Sequence, residues 1–433
     1  MAQFEIKDGV AIIPEGITEI EWCAFRDCTS LESITIPKSV TVIGERAFNG
    51  CTALKNVTIP ESVTRIAENA FYGCTSLESV TIANSVTEIR CNTFRACTSL
   101  KSITIPESVT KIGALAFNVC TSLESIVIPE SVTKIDDGAF SSCKSLKSIT
   151  IPESVKAIGE GAFGGCTSLK SITIPGSVGT IRYEAFARCT SLEDVVMSKG
   201  VKKIGYEAFK GCTSLKSISV PVSVKEIDND AFVNCTSLES IVLPKVKKIG
   251  HSAFWGCTSL ESIRMLESTT EISAKAFRGC VSLKNITIPN SVSEIGGSAF
   301  EGCTSLKSIT IPESVTEIKD AFEGCTSLKS IAIPNSVTKI GRSAFSNCTS
   351  LETLAIPNSV TWIGDRAFRG CTSLKSISIP ESVTEIGESA FEGCTSLVTI
   401  NVPAKKSHYC KWYLRPNVHD KIVELAPEKK TKK

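Results

Sequence analysis

The sequence has few of the residues that enzymes use for catalysis. Its 433 residues include only three histidines, His251, His408 and His419, and none lies at a telling spacing from a Ser or Cys nucleophile. Histidine is the side chain that most often transfers protons near neutral pH. The chain also has neither a glycine-rich phosphate loop nor a CxxC pair of the kind that zinc sites use. We therefore expect no catalytic residues, no cofactor and no metal site.

The charge balance and the hydropathy pattern disfavour two further classes of partner. The formal net charge is +2, from 47 Lys and Arg against 45 Asp and Glu, which gives no electrostatic reason to expect nucleic acid or an anionic membrane as partner. No apolar run reaches the ~18 residues that a transmembrane helix needs. The first residues lack the basic-then-apolar pattern of an export signal, so the sequence favours a cytoplasmic location.

What the chain has in abundance is repetition. A 23-residue repeat, CTSLKSISIPESVTEIGESAFEG at 371–393, recurs along the chain and starts at a Cys each time. Two copies are one residue short, at 244–246 and at 318–322. Counted from the Cys, the apolar positions are 1, 4, 7, 9, 13, 16, 20 and 21. Such a repeat predicts a solenoid, in which each coil packs only against its neighbours.

Each repeat predicts the same local structure. Positions 6 to 9 alternate polar and β-branched residues, which indicates a half-buried strand that the Pro at position 10 ends. Positions 13 to 16 predict a shorter extended segment, and position 17 is a turn glycine. The Ala-Phe-x-Gly run at positions 20 to 23 predicts one helical or 3₁₀ turn, whose closing glycine can take positive φ. The expected fold class is mainly β: a right-handed solenoid with a parallel sheet along one side.

The repeat resembles a known family. The Leu-x-x-Ile-x-Ile run at positions 4 to 9 is similar to the strand signature of leucine-rich repeats. The full CxxLxxIxIPxSVTxIGxxAFxG pattern resembles the BspA-like, or Treponema pallidum-type, leucine-rich repeat over residues 5–403. The resemblance implies a curved solenoid with its sheet on the concave side, and a role in binding other proteins, often as a surface antigen or adhesin. It implies no catalytic residues.

The twenty cysteines follow the repeat. Seventeen of them occupy position 1, where stacked coils bring their Cα atoms within disulfide range. Their side chains point the same way into the core, so the sequence favours a column of buried, reduced thiols. Cys23, Cys91 and Cys410 break the pattern, and we expect the first two to be exposed. Free thiols are easiest to keep in a reducing cytoplasm, whereas the family resemblance suggests secretion or the cell surface.

The repeat divides the chain into four segments. Residues 1–27 predict an N-terminal cap with a degenerate first coil, and residues 28–403 predict the solenoid. Residues 404–425 predict a C-terminal cap, because an open solenoid end exposes core and strand edge; a binding element is the alternative interpretation. Residues 426–433 predict a disordered basic tail.

The exposed face of the main sheet should display positions 6 and 8, which are mostly Ser and Thr. Apolar or Arg residues in their place are the kind that anchor protein interfaces. The candidate partner-binding residues at these positions are Asp194, Val196, Val242, Arg264 and Val127. Neutral drift in a redundant array is the alternative. Ala332 and Ala355 also depart from the pattern, but Ala is too small to anchor a partner.

The sequence therefore predicts a non-enzymatic scaffold that binds a partner protein on this sheet face. A structural spacer, or a surface-antigen array without one specific ligand, is the alternative. A remote alternative is an ice-binding surface, because regular Ser and Thr rows can order water. The curvature that the resemblance implies, and the Lys or Glu at position 5, argue against that last interpretation.

Overall fold

The structure is a computed structural model that describes residues 4–403 and 421–425. Its internal contacts divide the chain into two units, Met1–Val224 and Lys225–Lys433. In each unit the described residues form a β-solenoid, which confirms the predicted fold class. The predicted tail at 426–433 and most of the predicted C-terminal cap, 404–420, lie outside the described residues.

Unit 1 contains two rows of strands. The long-strand row follows repeat positions 6 to 8, with some strands reaching position 9: Ile6–Lys7, Val10–Ile12, Ser33–Thr35, Asn56–Thr58, Ser79–Thr81, Ser102–Thr104, Ser125–Val127, Ser148–Thr150, Ser171–Ile174, Asp194–Met197 and Ser217–Ser219. The short-strand row follows positions 15 and 16: Glu19–Ile20, Val42–Ile43, Arg65–Ile66, Glu88–Ile89, Lys111–Ile112, Lys134–Ile135, Ala157–Ile158, Thr180–Ile181 and Lys203–Ile204. One 3₁₀ helix, Gly176–Val178, lies between the rows.

Unit 2 contains two rows of strands at the same repeat positions. Its long strands are Ser240–Leu243, Ser262–Met265, Asn285–Thr287, Ser308–Thr310, Ser330–Ala332, Thr353–Ala355, Ser376–Ser378, Thr399–Pro403 and Ile422–Leu425. Its short strands are Glu226–Ile227, Lys248–Ile249, Glu271–Ile272, Glu294–Ile295, Glu317–Ile318, Lys339–Ile340, Trp362–Ile363 and Glu385–Ile386.

The strands pair in parallel with the equivalent strand of the next coil. Identical repeat positions face one another, as when Ser79 lies beside Ser102 and Val80 beside Ile103. Within Ser171–Ile174 the side chains alternate between exposed and buried. This confirms the predicted period of two and places position 7 in the core and positions 6 and 8 in solvent.

A column of phenylalanines forms the centre of each core. Neighbouring rings stack with centroids 5.0 to 5.6 Å apart in unit 1 and 5.2 to 5.6 Å apart in unit 2. Phe4, the one Phe outside the repeat, stacks on Phe25 at 5.7 Å and extends the column at its N-terminal end. Sequence reasoning did not assign Phe4 this role.

The segment around each Phe forms a run of turns in which alternate amides make the 3₁₀-type hydrogen bond to the residue three positions earlier. In the coil at 44–50, the Phe48 N–H donates to the carbonyl of Ala70 in the next coil at 2.8 Å. The Asn49 N–H instead donates back to Arg46 at 3.1 Å. The alternation continues along the segment. Every second amide therefore leaves the coil, which prevents a continuous helical hydrogen-bond pattern.

Two positions of this segment take left-handed backbone conformations. The closing glycine does so as predicted, for example Gly50 with φ +74°. Position 19 does so as well, although it holds residues as different as Cys23, Leu115 and Glu207, with φ near +55°. Stacking on the neighbouring coils holds these residues in a conformation that costs a non-glycine residue about 1–2 kcal/mol.

Position 17 holds glycine for a reason other than the turn that the sequence predicted. Its φ is not positive, and its amide donates to the preceding coil, as in Gly44 to the Ile20 carbonyl at 2.8 Å. A Cβ atom on Gly44 would lie 2.7 Å from that same oxygen. Gly113 meets the backbone of the preceding coil in the same way. Glycine is therefore used here for close approach between coils.

Hydroxyl groups connect the coils as well. The position-14 hydroxyl of Thr110 donates to the carbonyl of Thr87 at 3.3 Å, one coil earlier. Ser108 at position 12 donates to Val86 at 2.6 Å, and Thr98 at position 2 donates to Thr75 at 3.3 Å. These bonds explain why polar residues persist at positions 2, 12 and 14 of a repeat whose core is apolar.

The short coil at 318–322 is repaired by a side chain. In a regular coil the position-19 amide donates to a backbone carbonyl one coil later, as Lys275 does to Gly297 at 2.9 Å. Ser298 has no such carbonyl because the next coil lacks a residue. Its N–H donates to Asp320 Oδ1 at 3.1 Å and its hydroxyl donates to Asp320 Oδ2 at 2.9 Å. The carboxylate thus replaces the missing carbonyl.

The outermost strands cover the ends of the long-strand rows. In unit 1, Ile6–Lys7 pairs antiparallel with Val10–Ile12, so the chain folds back over its first coil. In unit 2, Ile422–Leu425 pairs in parallel with Thr399–Pro403. Each pairing supplies partners to backbone groups that an open sheet edge would leave free.

Candidate functional site

In unit 1 the predicted residues lie on the exposed face of the long-strand row. Val196 lies between Thr173 and Ser219 and is 52% exposed. Asp194 precedes it by two residues and points to the same side. Val127 is 78% exposed and is separated from them by the strands Ser148–Thr150 and Ser171–Ile174. Val10 and Ile12, on the strand Val10–Ile12 of the same row, are 40% and 70% exposed as well. Unit 1 therefore presents separate exposed aliphatic side chains on a face that is otherwise mostly Ser and Thr.

In unit 2 the other two predicted residues are neighbours. Val242 lies directly beside Arg264 in the parallel register, and Thr287 lies on the other side of Arg264. Val242 is 50% exposed and Arg264 is also exposed. Within the described residues the Arg264 guanidinium has no ion-pair partner. An exposed aliphatic side chain next to a free guanidinium is a combination that protein interfaces favour.

A row of charged side chains at position 5 borders this face. From Glu32 to Lys147 in unit 1, acids and lysines alternate and pair across coils, with Nζ to carboxylate distances of 2.8 Å for Lys55–Glu32, 3.1 Å for Lys101–Glu78 and 2.7 Å for Lys147–Glu124. Lys170 then follows Lys147 directly in the next coil. The hydrogen bond from Lys55 lowers the pKa of Glu32. Exposed pairs of this kind contribute little to stability, so their value lies in the charge pattern that they display.

Unit 2 also has lysines at position 5 of adjacent coils. Lys284 pairs with Glu261 at 2.9 Å and Lys375 pairs with Glu352 at 3.7 Å. Between them, Lys307 and Lys329 occupy adjacent coils, because the amide of Lys329 donates to the carbonyl of Lys307. Neither lysine has a carboxylate within ion-pair distance among the described residues. The edge of the sheet face is therefore locally positive.

The same part of unit 2 contains a depression that sequence reasoning missed. An open hollow of about 480 Å³ lies over three strands, Ser330–Ala332, Thr353–Ala355 and Ser376–Ser378. Within it, Ala332 and Ala355, neighbours in register, stand in place of the larger Thr of position 8. The sequence argument set these alanines aside as too small to anchor a partner. Their small size instead leaves open space above the strands.

The floor of this depression is apolar. Its lining includes the core side chains Ile331, Leu354 and Ile377, which are 6%, 8% and 1% exposed. Small-molecule and peptide sites are commonly concave, apolar at the floor and polar at the rim.

The cysteine column is structural. From Cys51 to Cys394 the position-1 cysteines are buried, and all described cysteines are free thiols. Each buried thiol also donates to the Phe carbonyl of the preceding coil, as Cys120 does to Phe94 at 3.1 Å, a bond that sequence reasoning did not foresee. Burial raises the pKa of Cys120 to about 12. A thiol held protonated in this way is a poor nucleophile.

The two irregular cysteines are partly buried. Cys23 and Cys91 are each intermediate in exposure, whereas exposure was expected. Cys410, like His408 and His419, lies outside the described residues. Burial raises the pKa of Cys91.

The remaining candidate for catalysis is a histidine and a serine. His251 Nδ1 lies 2.9 Å from the hydroxyl of Ser252, the next residue in the chain. Ser252 is only 1% exposed, so a substrate has no access to its oxygen. Among the described residues no cluster of three or more His, Cys, Asp or Glu could hold a metal ion. No helix in the described part of the chain is long and apolar enough to span a membrane.

Comparison with known sequences identifies the repeat. The profile of the BspA-type leucine-rich-repeat region, written as six copies, matches residues 10–124, 111–239, 225–320 and 306–413. These matches cover well over half of the chain. No curated protein matches the chain significantly.

The chain is also similar to several solved structures. A leucine-rich-repeat protein from Bacteroides ovatus is 31% identical over 96% of this chain and 94% of its own, with a TM-score of 0.59. A leucine-rich cell surface protein from Faecalibacterium prausnitzii is 28% identical over 94% of both chains, with a TM-score of 0.39. A leucine-rich-repeat protein from Treponema pallidum is 31% identical over 42% of this chain and 77% of its own, with a TM-score of 0.32. The chain belongs to the BspA-type leucine-rich-repeat family, a family of non-enzymatic repeat scaffolds.

Proposed function

We propose that this protein is a non-enzymatic scaffold that binds a partner protein through the exposed face of its long-strand row. The observation that carries the proposal is the exposure of Val196, Val242 and Arg264, which stand where the repeat has Ser or Thr. Exposed aliphatic side chains cost solubility and contribute nothing to the core. A partner that covers them would gain the free energy of their burial.

The rest of the face suits a protein partner. Its hydroxyl rows offer donors and acceptors, while the strands beneath hold them rigidly at regular spacing. A rigid surface loses little conformational entropy when it binds. Arginines such as Arg264 are among the residues that supply most of the binding energy in protein interfaces, and the surrounding residues exclude water. Val196 and Val242 would add the burial of their exposed aliphatic surface.

The test is a pull-down from lysates with the triple variant Val196→Thr, Val242→Thr and Arg264→Thr. Threonine restores the repeat consensus at each site, so the fold should remain intact. We expect the affinity for a captured partner to fall about tenfold or more, because each lost anchor costs on the order of 1 kcal/mol.

A matched control carries Thr58→Ser, Thr81→Ser and Thr310→Ser on the same face, and it should bind like the wild type. Equal binding by both variants would place the partner elsewhere on the protein. Failure to find any saturable partner would favour the structural spacer instead.

A further inference from the structure

We propose that the depression over Ala332 and Ala355 in unit 2 is a docking site for an acidic peptide segment that carries an aliphatic or aromatic side chain. This inference rests on the proposed function, because it names the kind of segment that a partner protein would supply. It also places the site in a part of the chain that the repeat pattern did not single out.

The shape of the depression argues for one inserted side chain. The two alanines lie beside each other in the register of neighbouring strands, so the space left by two missing Thr side chains is continuous. Its volume of about 480 Å³ is in the range of small ligand sites. Ile331 and Leu354 form part of its floor. An apolar side chain placed there would complete the burial of these two residues.

The charge around the depression argues for carboxylates in the ligand. Lys329 lies at the edge of the depression and Lys307 lies beside it in the preceding coil, and neither has a carboxylate partner among the described residues. Like charges on adjacent coils repel, so a bound anion would relieve their repulsion. Farther along the same edge, Glu352 and Lys375 pair with each other at 3.7 Å, so their charges offset one another.

The opposite edge lacks the acids that would repel such a ligand. At position 11 the flanking coils carry Glu313 and Glu381, but the two coils that contain the alanines carry Asn335 and Asn358. Both asparagines are exposed. Small floor residues, unpaired lysines and neutral asparagines therefore coincide in the same stretch. An acidic peptide fits this combination, whereas a basic one would meet two lysines.

The test starts from a random peptide library displayed on phage and selected on the wild-type protein. Enriched peptides are then measured by fluorescence anisotropy against three proteins: the wild type, Ala332→Thr with Ala355→Thr, and Lys307→Gln with Lys329→Gln. The variant with Ala332→Thr and Ala355→Thr is called the filled variant. Threonine stands at the same repeat position in Thr287 and Thr310, so the filled variant should fold, and thermal unfolding checks this. Ser219→Thr and Lys170→Gln, at positions 8 and 5 of unit 1, are the matched controls.

We expect the enriched peptides to combine Asp or Glu with a nearby aliphatic or aromatic residue. The filled variant should bind them at least about tenfold more weakly, and the lysine variant about three- to tenfold more weakly with a smaller salt dependence. Both controls should bind like the wild type.

Three results would overturn the inference. Peptides that bind the filled variant as well as the wild type would show that the depression is not their site, while protein binding through another part of the face would still stand. Enriched peptides without acidic residues would exclude the proposed ligand class. The absence of any enriched peptide would reject the docking site, and only a failed pull-down as well would reject the proposed scaffold function.

Discussion

Among single residues, the Phe at position 21 contributes most to the core, and its contribution depends on where it lies. Phe209 is fully buried and stacks on Phe186 at 5.5 Å. We expect Phe209→Ala to lower the free energy of unfolding by about 3–5 kcal/mol, the usual loss for an emptied aromatic site. Phe25→Ala should cost less overall, because an end coil can unfold separately. Urea denaturation measures both, and equally mild effects would contradict a Phe-centred core.

The buried thiols predict a pH dependence of stability. The pKa of Cys120 is raised from 9.0 to about 12 in the folded protein, so folding favours its protonated form. Its contribution is fully present below pH 9 and is lost as the pH rises towards 12.

The cost of Cys120→Ala should therefore shrink between pH 8 and pH 11, by about 1.4 kcal/mol for each pH unit above 9. Urea midpoints of the variant and the wild type at both pH values measure this. Tyr and Lys titrate in both proteins, so the difference isolates the thiol. A cost that is independent of pH would show that the thiol is not held protonated.

At the scale of one coil, the carboxylate of Asp320 should stabilise the fold. It accepts both the amide and the hydroxyl of Ser298, which is buried. Asp320→Ala would leave the buried donors unsatisfied and should cost about 1–3 kcal/mol. Asp320→Asn keeps one acceptor oxygen and should cost less. Thermal unfolding ranks the two variants, and equal effects would mean that the side chain only fills space.

The sequence predicted those features of the coil that side chains determine. Strand positions, the Phe column and the buried cysteines follow from the period of the apolar residues. The bond of the Phe48 amide to Ala70 in another coil did not follow, because a backbone N–H leaves no mark in the sequence. The depression over Ala332 and Ala355 did not follow for a similar reason: its volume depends on which residues become neighbours across strands.

For the whole molecule, solenoid stacking predicts graded protection. In unit 1 the short strand Glu19–Ile20 belongs to the first coil, whereas Lys111–Ile112 has paired strands on both sides. Hydrogen exchange of the native protein should be faster in the first of these strands, because terminal coils open at a lower free energy. Mass spectrometry of exchanged peptides measures this. Equal protection would indicate that the described coils of unit 1 unfold as a single block.

The pairing of identical positions has a consequence for inheritance. Ser79 lies beside Ser102 and Val80 beside Ile103, so a regular coil would make the same kinds of contact with any other regular coil as with its present neighbour. Recombination between repeats within the gene can therefore add or remove 23 codons, and each side chain of the new protein still packs against residues of the same type. The exception is Ser298 with Asp320, whose mutual bonds make these two coils a linked pair. A crossover that separated these two coils would leave Ser298 and Asp320 without their hydrogen-bond partners. We therefore expect the two coils to be inherited together.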